Sequence, residues 1–274
     1  MVKRGGIIVA LFFSTFFISS PACSQEAFDH SIWNRILKQY VHRGRVDYDR
    51  LFQARMELDD YLKQLETVSL EALSEVRREE RIAFWINLYN ASIIRMILDE
   101  YPIGRFDQIQ AAFEVRTVQT IGEFFSFSDL RDRVLRQGFR DERIIIALVS
   151  GRMDSPKLLG EAFRGESLEE QLNRVAREFV EDDKLNQIKP SEKKIFLSPL
   201  FDQFGSDFLI NFGSSNSSAG FSETQTAVIS FLLHHLKDPE KRLFLNSGRY
   251  KIRYLTEDLR LNDIRNFSQV NDGQ

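Results

Sequence analysis

Two serines and one aspartate lie together in a loop that could carry chemistry. Ser150, Asp154 and Ser155 lie in segment 150–156, directly after Arg143 and the apolar run that follows it up to Val149. A serine hydroxyl becomes a nucleophile only when a nearby base removes its proton, whereas a carboxylate can act as an acid or a base. No histidine is near this loop, and Lys157 is the closest lysine. The candidate catalytic residues are therefore Ser150, Ser155, Asp154 and Asp258.

The side chains used in thiol and metal chemistry are scarce. The only cysteine is Cys23, which lies in an N-terminal export signal, so the folded part of the chain has no thiol nucleophile. The histidines are His30, His42, His234 and His235, and no two of them are four residues apart, the spacing of a helical metal pair. The sequence therefore predicts no metal site and no cofactor.

A long apolar segment contains two amides that need partners. Residues 81–101 predict a single buried helix, because their apolar side chains cover most of the helix circumference. Asn87 and Asn90 share one face of this helix, and Tyr89 lies between them. A buried amide without a partner costs about 1–3 kcal/mol. We expect Asn87 and Asn90 to brace a nearby loop or strand end; a pocket lined by them is the alternative.

A second polar group follows the last predicted strand. Asp258 is followed by Asn262 and Asp263. Short polar side chains at such a place usually hydrogen-bond the neighbouring backbone. We expect a hydrogen-bonded structural role for Asn262 and Asp258, with a pocket wall as the alternative.

The N-terminus has the pattern of an export signal. Lys3 and Arg4 precede an apolar run over residues 7–18, and small residues follow up to Cys23. This pattern is typical of a signal peptide, here residues 1–22. Because Cys23 comes directly afterwards, we expect a lipoprotein with a lipidated Cys23 in the bacterial periplasm or at the outer membrane. Ordinary cleavage, giving a soluble periplasmic or secreted protein, is the alternative.

The periodicity of the chain predicts a helix-rich α+β fold. Residues 28–265 are expected to form a single domain around a small β-sheet, followed by a polar tail over residues 266–274. Helices are predicted over 28–40, 49–65, 69–72, 81–101, 129–136, 167–180, 201–212 and 223–236. Strands are predicted over 143–149, 194–200 and 249–255, with a hairpin near 115–118 and 124–125.

The composition agrees with a folded domain and disfavours one class of partner. Of 274 residues, 43% are hydrophobic and 24 are Phe, enough for a sizeable core. The formal net charge is −3, and the sequence has no long basic stripe. Nucleic acid is therefore not an expected partner.

Several segments together resemble a known family, the domain of unknown function 547. The resemblance extends from about Trp33 to Asp263 and is carried by Gly44–Tyr48, Ala83–Ala91, Leu98–Pro102, Arg143–Pro156, Leu197–Phe201, Asp207–Phe208 and Tyr254–Asp263. It implies an α+β arrangement similar to papain or transglutaminase. In such an arrangement the loop 150–156 would be the active-site loop.

The chain departs from the family pattern where the family would carry its reactive groups. The family's His-Phe-Ala-Leu, Cys-Gly and Ser-Cys-Pro correspond here to Ile145-Ile146-Ala147-Leu148, Ser150-Gly151 and Asp154-Ser155-Pro156. The family's Glu-His pair, Trp-Tyr pair and Tyr-Asp-Trp correspond to Arg131-Asp132, Gln203-Phe204 and Glu257-Asp258-Leu259. A hydroxyl and an isoleucine cannot replace a thiolate and an imidazole without losing nucleophile activation.

These observations lead to two expectations of different class. The first is an exported, lipid-anchored binding or scaffolding module of the cell envelope that has lost catalysis. Its expected partners are an envelope protein, a peptide or a glycan, and the membrane through the lipid anchor. The alternative is a hydrolase or transferase that uses a serine or carboxylate of loop 150–156. A base beside Ser150 or Ser155 in an open pocket would favour the enzyme.

Overall fold

One long buried helix lies at the centre of the fold. In the computed structural model, which describes residues 28–115, 117–213 and 220–268, this central helix is Arg78–Glu100. Every residue from 82 to 94 is buried, as expected for a helix that is apolar around most of its circumference. The helix ends two residues before Pro102, since proline disfavours the helical conformation in the residue preceding it. The predicted buried helix is confirmed.

Shorter helices and small sheets surround the central helix and share one apolar core with it. The other α-helices are Ser31–Tyr40, Tyr48–Gln53, Arg55–Glu66, Leu70–Glu75, Gln110–Val115, Arg143–Ala147, Leu168–Glu181, Pro199–Phe204, Leu209–Phe212, Glu223–His235, Pro239–Asn246 and Arg265–Ser268. A π-helix spans Asp129–Gln137, and 3₁₀ turns span Phe106–Ile109, Gly165–Ser167, Pro190–Glu192 and Gly205–Phe208. The helix-rich α+β class is confirmed.

The strands form separate small sheets. Two are antiparallel hairpins, Val41–His42 with Arg45–Val46 and Thr117–Thr120 with Glu123–Ser126. In the third sheet, Lys194–Leu197 is the middle strand, antiparallel to Gln187–Lys189 and parallel to Lys251–Tyr254.

Asn87 fastens the central helix to an irregular segment that would otherwise have unpaired backbone groups. Its amide nitrogen donates to the Phe163 carbonyl at 2.8 Å, and its amide oxygen accepts from the Phe163 N–H at 2.9 Å. Asn87 is completely buried, so water cannot replace these bonds. One side chain therefore satisfies both polar groups of a buried peptide position.

Asn90 does the same for a second segment, one turn further along the helix. It donates to the Ala147 carbonyl at 2.9 Å and accepts from the Val149 N–H at 3.0 Å. These two backbone groups lie where the helix Arg143–Ala147 gives way to extended chain at Leu148. Asn90 thus fixes the point at which the chain leaves this helix and enters the loop 150–156.

The strand predicted over residues 143–149 is wrong. Residues Arg143–Ala147 form a short helix, preceded by Asp141, whose carboxylate accepts from the Arg143 N–H at 3.0 Å. Residues 144–149 are all buried, so the apolar run has no exposed face. A short run that is apolar on every side lacks the periodicity that separates a strand from a buried helix.

Three other predicted helices differ in detail. The helix predicted over 49–65 is divided at Ala54 into Tyr48–Gln53 and Arg55–Glu66. The helix predicted over 201–212 consists of three short pieces from Pro199 to Phe212. The segment predicted as a helix from 129 to 136 has π winding.

Two sequence predictions lie outside the described residues. The signal peptide 1–22 and Cys23 precede the first described residue, and residues 269–274 of the predicted polar tail follow the last one. Within the described part, no helix combines the length and the apolar character needed to cross a membrane.

We predict that Asn87→Leu destabilises the protein strongly. The substitution leaves the buried N–H and C=O of Phe163 unpaired, and each unpaired group costs about 1–3 kcal/mol. Urea unfolding measures the loss. The matched control is Asn246→Leu at an exposed helix end, which should change the free energy of unfolding by less than about 0.5 kcal/mol. Equal unfolding curves for wild type and Asn87→Leu would contradict the bracing role.

Candidate functional site

A cleft of about 370 Å³ opens beside the central helix, at the loop 150–156. This volume lies within the range of small-ligand sites. Its apolar and aromatic lining residues are Tyr89, Phe106, Phe113, Ile145, Leu148, Val149, Pro156, Pro199, Leu200, Phe204 and Leu259. Its polar lining residues are Gln110, Glu114, Arg131, Ser150, Arg152, Asp154, Ser155, Ser198, Gln203 and Glu257.

The start of the loop 150–156 is held by two hydrogen bonds and one close contact. Before it, Asn90 accepts from the Val149 N–H; within it, the Gly151 carbonyl accepts from the Asn262 N–H at 2.9 Å. Gly151 has φ of 76° and packs so closely on the central helix that an added Cβ would lie 2.4 Å from Ile97 Cδ1. Only glycine fits this left-handed position at such a distance. The backbone of the loop is therefore rigidly placed.

The C-terminal segment, residues 255–264, forms one wall of the cleft by bonding to three separate parts of the chain. The Met153 N–H donates to the Arg260 carbonyl at 2.8 Å, and the Phe106 N–H donates to the Leu259 carbonyl at 2.7 Å. The Val46 N–H donates to the Asn262 carbonyl at 2.9 Å. The segment thus joins the N-terminal hairpin, the 3₁₀ turn Phe106–Ile109 and the candidate loop.

Ser150 and Ser155 lie at the cleft, but neither is arranged as a nucleophile. The hydroxyl oxygen of Ser150 is buried and has no hydrogen-bond partner among the described residues. The Ser155 hydroxyl donates to the neighbouring Pro156 carbonyl at 3.1 Å. A nucleophilic serine needs a base within hydrogen-bond reach, and neither hydroxyl contacts one in the described part of the chain.

Asp154 is tied to its neighbours. Its carboxylate accepts from Nε and Nη2 of Arg152 at 2.9 and 3.1 Å and from the Asp258 N–H at 2.9 Å. Burial raises the pKa of Asp154, and Arg152 partly opposes that rise. Arg152 also lies 3.2 Å from Glu257. These bonds make Asp154 a clamp between the candidate loop and the C-terminal segment.

Asp258 and Asn262 have structural contacts as well. The Asp258 carboxylate accepts from Arg260 Nε at 2.9 Å, and this hydrogen bond lowers the pKa of Asp258. The Asn262 amide oxygen accepts from the Tyr48 hydroxyl at 2.8 Å, deep in the core. Asp258 does not line the cleft. Asn262 does not line it either, but its main-chain N–H donates to the Gly151 carbonyl of the candidate loop.

Arg131 reaches the cleft from the π-helix Asp129–Gln137. It donates twice to Asp132 at 2.8 Å, and Arg136 bonds both Asp132 at 2.6 Å and Asp207 at 2.6 Å. The guanidinium carbons of Arg131 and Arg136 lie 5.3 and 4.3 Å from the centre of the Phe204 ring. A π-helix pairs residues five apart, which suits two arginines five apart that meet one ring.

The histidines serve elsewhere. None of the four lines the cleft. Burial lowers the pKa of His30 to about 4, and His30 Nδ1 lies 2.7 Å from the Tyr61 hydroxyl. Burial also lowers the pKa of His235 to about 4. Across the described ranges, no group of three or more His, Cys, Asp or Glu is placed to hold a metal ion.

The structure brings together residues that the sequence showed as separate. Ser150, Asp154, Ser155 and Tyr89 share the cleft, as do Ile145 and Arg131, two positions at which the resemblance led us to expect a departure from the family pattern. Sequence reasoning missed the aromatic flank Phe106 and Phe113 and the bridging role of Arg152. In the sequence, the only signal for Phe106 and Phe113 was that they lie in a polar and aromatic segment without a regular pattern.

Fold and site together define a helix-rich α+β domain with a rigid, partly apolar cleft that has no serine–base pair within its described lining. Residues 73–180 match the model of a family described as "Protein of unknown function, DUF547". The matched part of the chain holds the central helix and the loop 150–156, and the match agrees with the resemblance seen in the sequence. Neither a curated protein nor a solved structure matches the chain, so the papain-like or transglutaminase-like arrangement stays a prediction.

We predict that a thiol placed at Ser150 is unreactive. Cysteine at this position would have a buried sulfur without a basic partner, and burial in apolar surroundings keeps a thiol protonated. In a Cys23→Ser background, Ser150→Cys should react with a maleimide at least about tenfold more slowly than Gln203→Cys, whose position is exposed at the same cleft. A Ser150→Cys thiol that reacts faster than Gln203→Cys would show that the site still activates a nucleophile.

Proposed function

We propose that the protein is a non-catalytic binding module of the cell envelope, and that its ligand occupies the cleft at the loop 150–156. The observation that carries this proposal is that the Ser150 hydroxyl has no hydrogen-bond partner to activate it. Ser150 is the first residue of the candidate loop and lines the cleft, yet its hydroxyl is buried and contacts no base among the described residues. Acyl transfer by serine needs an activated hydroxyl and donors for the developing oxyanion.

The carboxylates give the enzyme alternative little support. General acid–base catalysis needs a carboxyl group that can reach the proton it transfers. Asp154 accepts three hydrogen bonds, from Arg152 and the Asp258 backbone, and Asp258 is held by Arg260. The hydrogen bonds of these two carboxylates therefore have a structural role at the cleft.

The rigidity of the cleft favours binding. Asn90, Gly151 and the C-terminal segment hold its backbone in place before a ligand arrives. A preorganised site avoids much of the entropy cost of ordering loops on association. A partly apolar cleft with a few polar groups is typical of ligand sites.

A panel of peptides, glycans and lipids tests the binding function. We expect at least one component to raise the melting temperature of the protein in a saturable way and to be recovered chemically unchanged. Gln203→Trp fills the cleft from its exposed wall and should abolish the shift, whereas Asp202→Trp, an exposed neighbour outside the lining, should preserve it. Turnover of a component would support the enzyme instead, and a shift that persists in Gln203→Trp would place the site elsewhere.

The envelope location is a separate part of the proposal and rests on the sequence of residues 1–23. A short apolar run followed by small residues and Cys23 supports export and lipidation of Cys23. The lipid would tether the binding domain to the membrane, and the cleft would then meet envelope peptides, glycans or proteins.

Mass spectrometry of the mature N-terminus tests the anchor. We expect a chain that begins at Cys23 and carries the added mass of acyl groups, and a Cys23→Ser variant that stays unlipidated and leaves the membrane fraction. An unmodified N-terminus at residue 23 or beyond would overturn the lipoprotein proposal and favour a soluble exported protein.

A further inference from the structure

Two hydrogen-bond donors at the cleft are unused by the protein. The Tyr89 hydroxyl lines the cleft and bonds to none of the described residues, although the side chain is 3% exposed. Burial raises the pKa of Tyr89 to about 12, so the hydroxyl stays a donor at neutral pH. Arg131 uses Nε and Nη2 on Asp132, which leaves its Nη1 without a bond inside the described ranges. A ligand that offers an acceptor would satisfy both donors.

The surrounding charge disfavours an anionic acceptor. Asp132 already neutralises Arg131 through a two-point ion pair. The cleft lining itself carries two guanidinium groups and three carboxylates, on Arg131, Arg152, Glu114, Asp154 and Glu257. A ligand carboxylate would therefore approach an excess of negative charge, and like charges across an interface are costly. A neutral carbonyl meets the same donors without this cost.

The flanks and the mouth of the cleft restrict the ligand further. Phe106, Phe113 and Leu259 present apolar surface, which favours an apolar side chain over the hydroxyls of a glycan. Glu114 and Glu257 are exposed, and Glu257 shares Arg152 with Asp154. An acidic mouth favours a basic group on the ligand at that end.

We propose that the cleft binds a peptide segment with an apolar residue and a neighbouring basic residue. Main-chain carbonyls of the peptide accept from Tyr89 and Arg131, the apolar side chain packs against Phe106, Phe113 and Leu259, and the basic residue faces Glu114 and Glu257. This inference rests on the proposed binding function and names its ligand class.

The test compares peptides that differ at one group, by NMR titration of the full chain. N-acetyl-phenylalaninamide should bind about tenfold more tightly than N-acetyl-phenylalanine, which carries a carboxylate instead of the terminal amide. Acetyl-Lys-Phe-amide should bind more tightly than acetyl-Glu-Phe-amide, and the difference should shrink at high salt. Equal or tighter binding of the carboxylate forms would overturn the proposal.

The Tyr89 donor has its own matched pair of variants. Tyr89→Phe removes one hydroxyl and should weaken binding of acetyl-Lys-Phe-amide about three- to tenfold, the usual effect of one hydrogen bond. Tyr250→Phe also removes a buried hydroxyl, one that donates to the Leu245 carbonyl outside the cleft, and should leave binding unchanged. Unchanged binding in folded Tyr89→Phe would contradict the assigned contact.

The peptide inference and the binding function can fail separately. If a glycan or a lipid binds and Gln203→Trp abolishes that binding while all four peptides fail, the peptide class is wrong and the binding module stands. If no component of any class binds, both proposals fall.

Discussion

The structure depends on two buried amides of the central helix. Asn87 pairs with the N–H and C=O of irregular backbone at Phe163. Asn90 pairs with the C=O of Ala147, the last helical residue, and with the N–H of Val149 just beyond it. Irregular chain is hard to bury because its polar groups have no regular partners. The two amides on one face of the rigid central helix supply these partners, one at Phe163 and the other where the chain leaves the helix Arg143–Ala147. The loop 150–156 can then lie deep in the molecule and still hold one backbone conformation.

The same dependence means that the shape of the cleft does not require particular reactive side chains in its lining. The groups that shape the cleft are backbone bonds, Gly151, the amides and the aromatic flanks. None of these needs a reactive residue at position 145, 150 or 155. A different side chain there would change the chemistry of the lining and leave its supports untouched. A rigid frame of this kind suits recognition as well as catalysis.

Much of the fold could be predicted because strong local patterns agree with the tertiary structure. The central helix has apolar residues on every side and a proline just beyond its end, and its amides had to find partners if buried. The strand prediction over 143–149 failed because residues 144–149 are buried on all sides. Such a segment has no polar face, so its sequence does not show whether it is a strand or a helix. The π winding of residues 129–137 has no comparable sequence signature, and tertiary contacts of Arg131 and Arg136 accompany it.

The cleft itself could be predicted only in part. Ser150, Asp154 and Ser155 are close in sequence, so a local pattern could place them in one loop. Tyr89, Phe106, Arg131 and Leu259 meet there through long-range packing that periodicity does not encode. Asp258 was expected near the site for its carboxylate, but what it contributes is its N–H, which Asp154 binds.

The C-terminal segment has a consequence for the order in which the molecule is completed. Residues 259–262 supply main-chain bonds to Val46, Phe106, Gly151 and Met153, so the cleft wall is complete only when these residues are in place. A growing chain can already contain the central helix and both amides, yet it has an unfinished cleft with several unpaired backbone groups. The cleft wall therefore needs segments that are far apart in the sequence to be folded together.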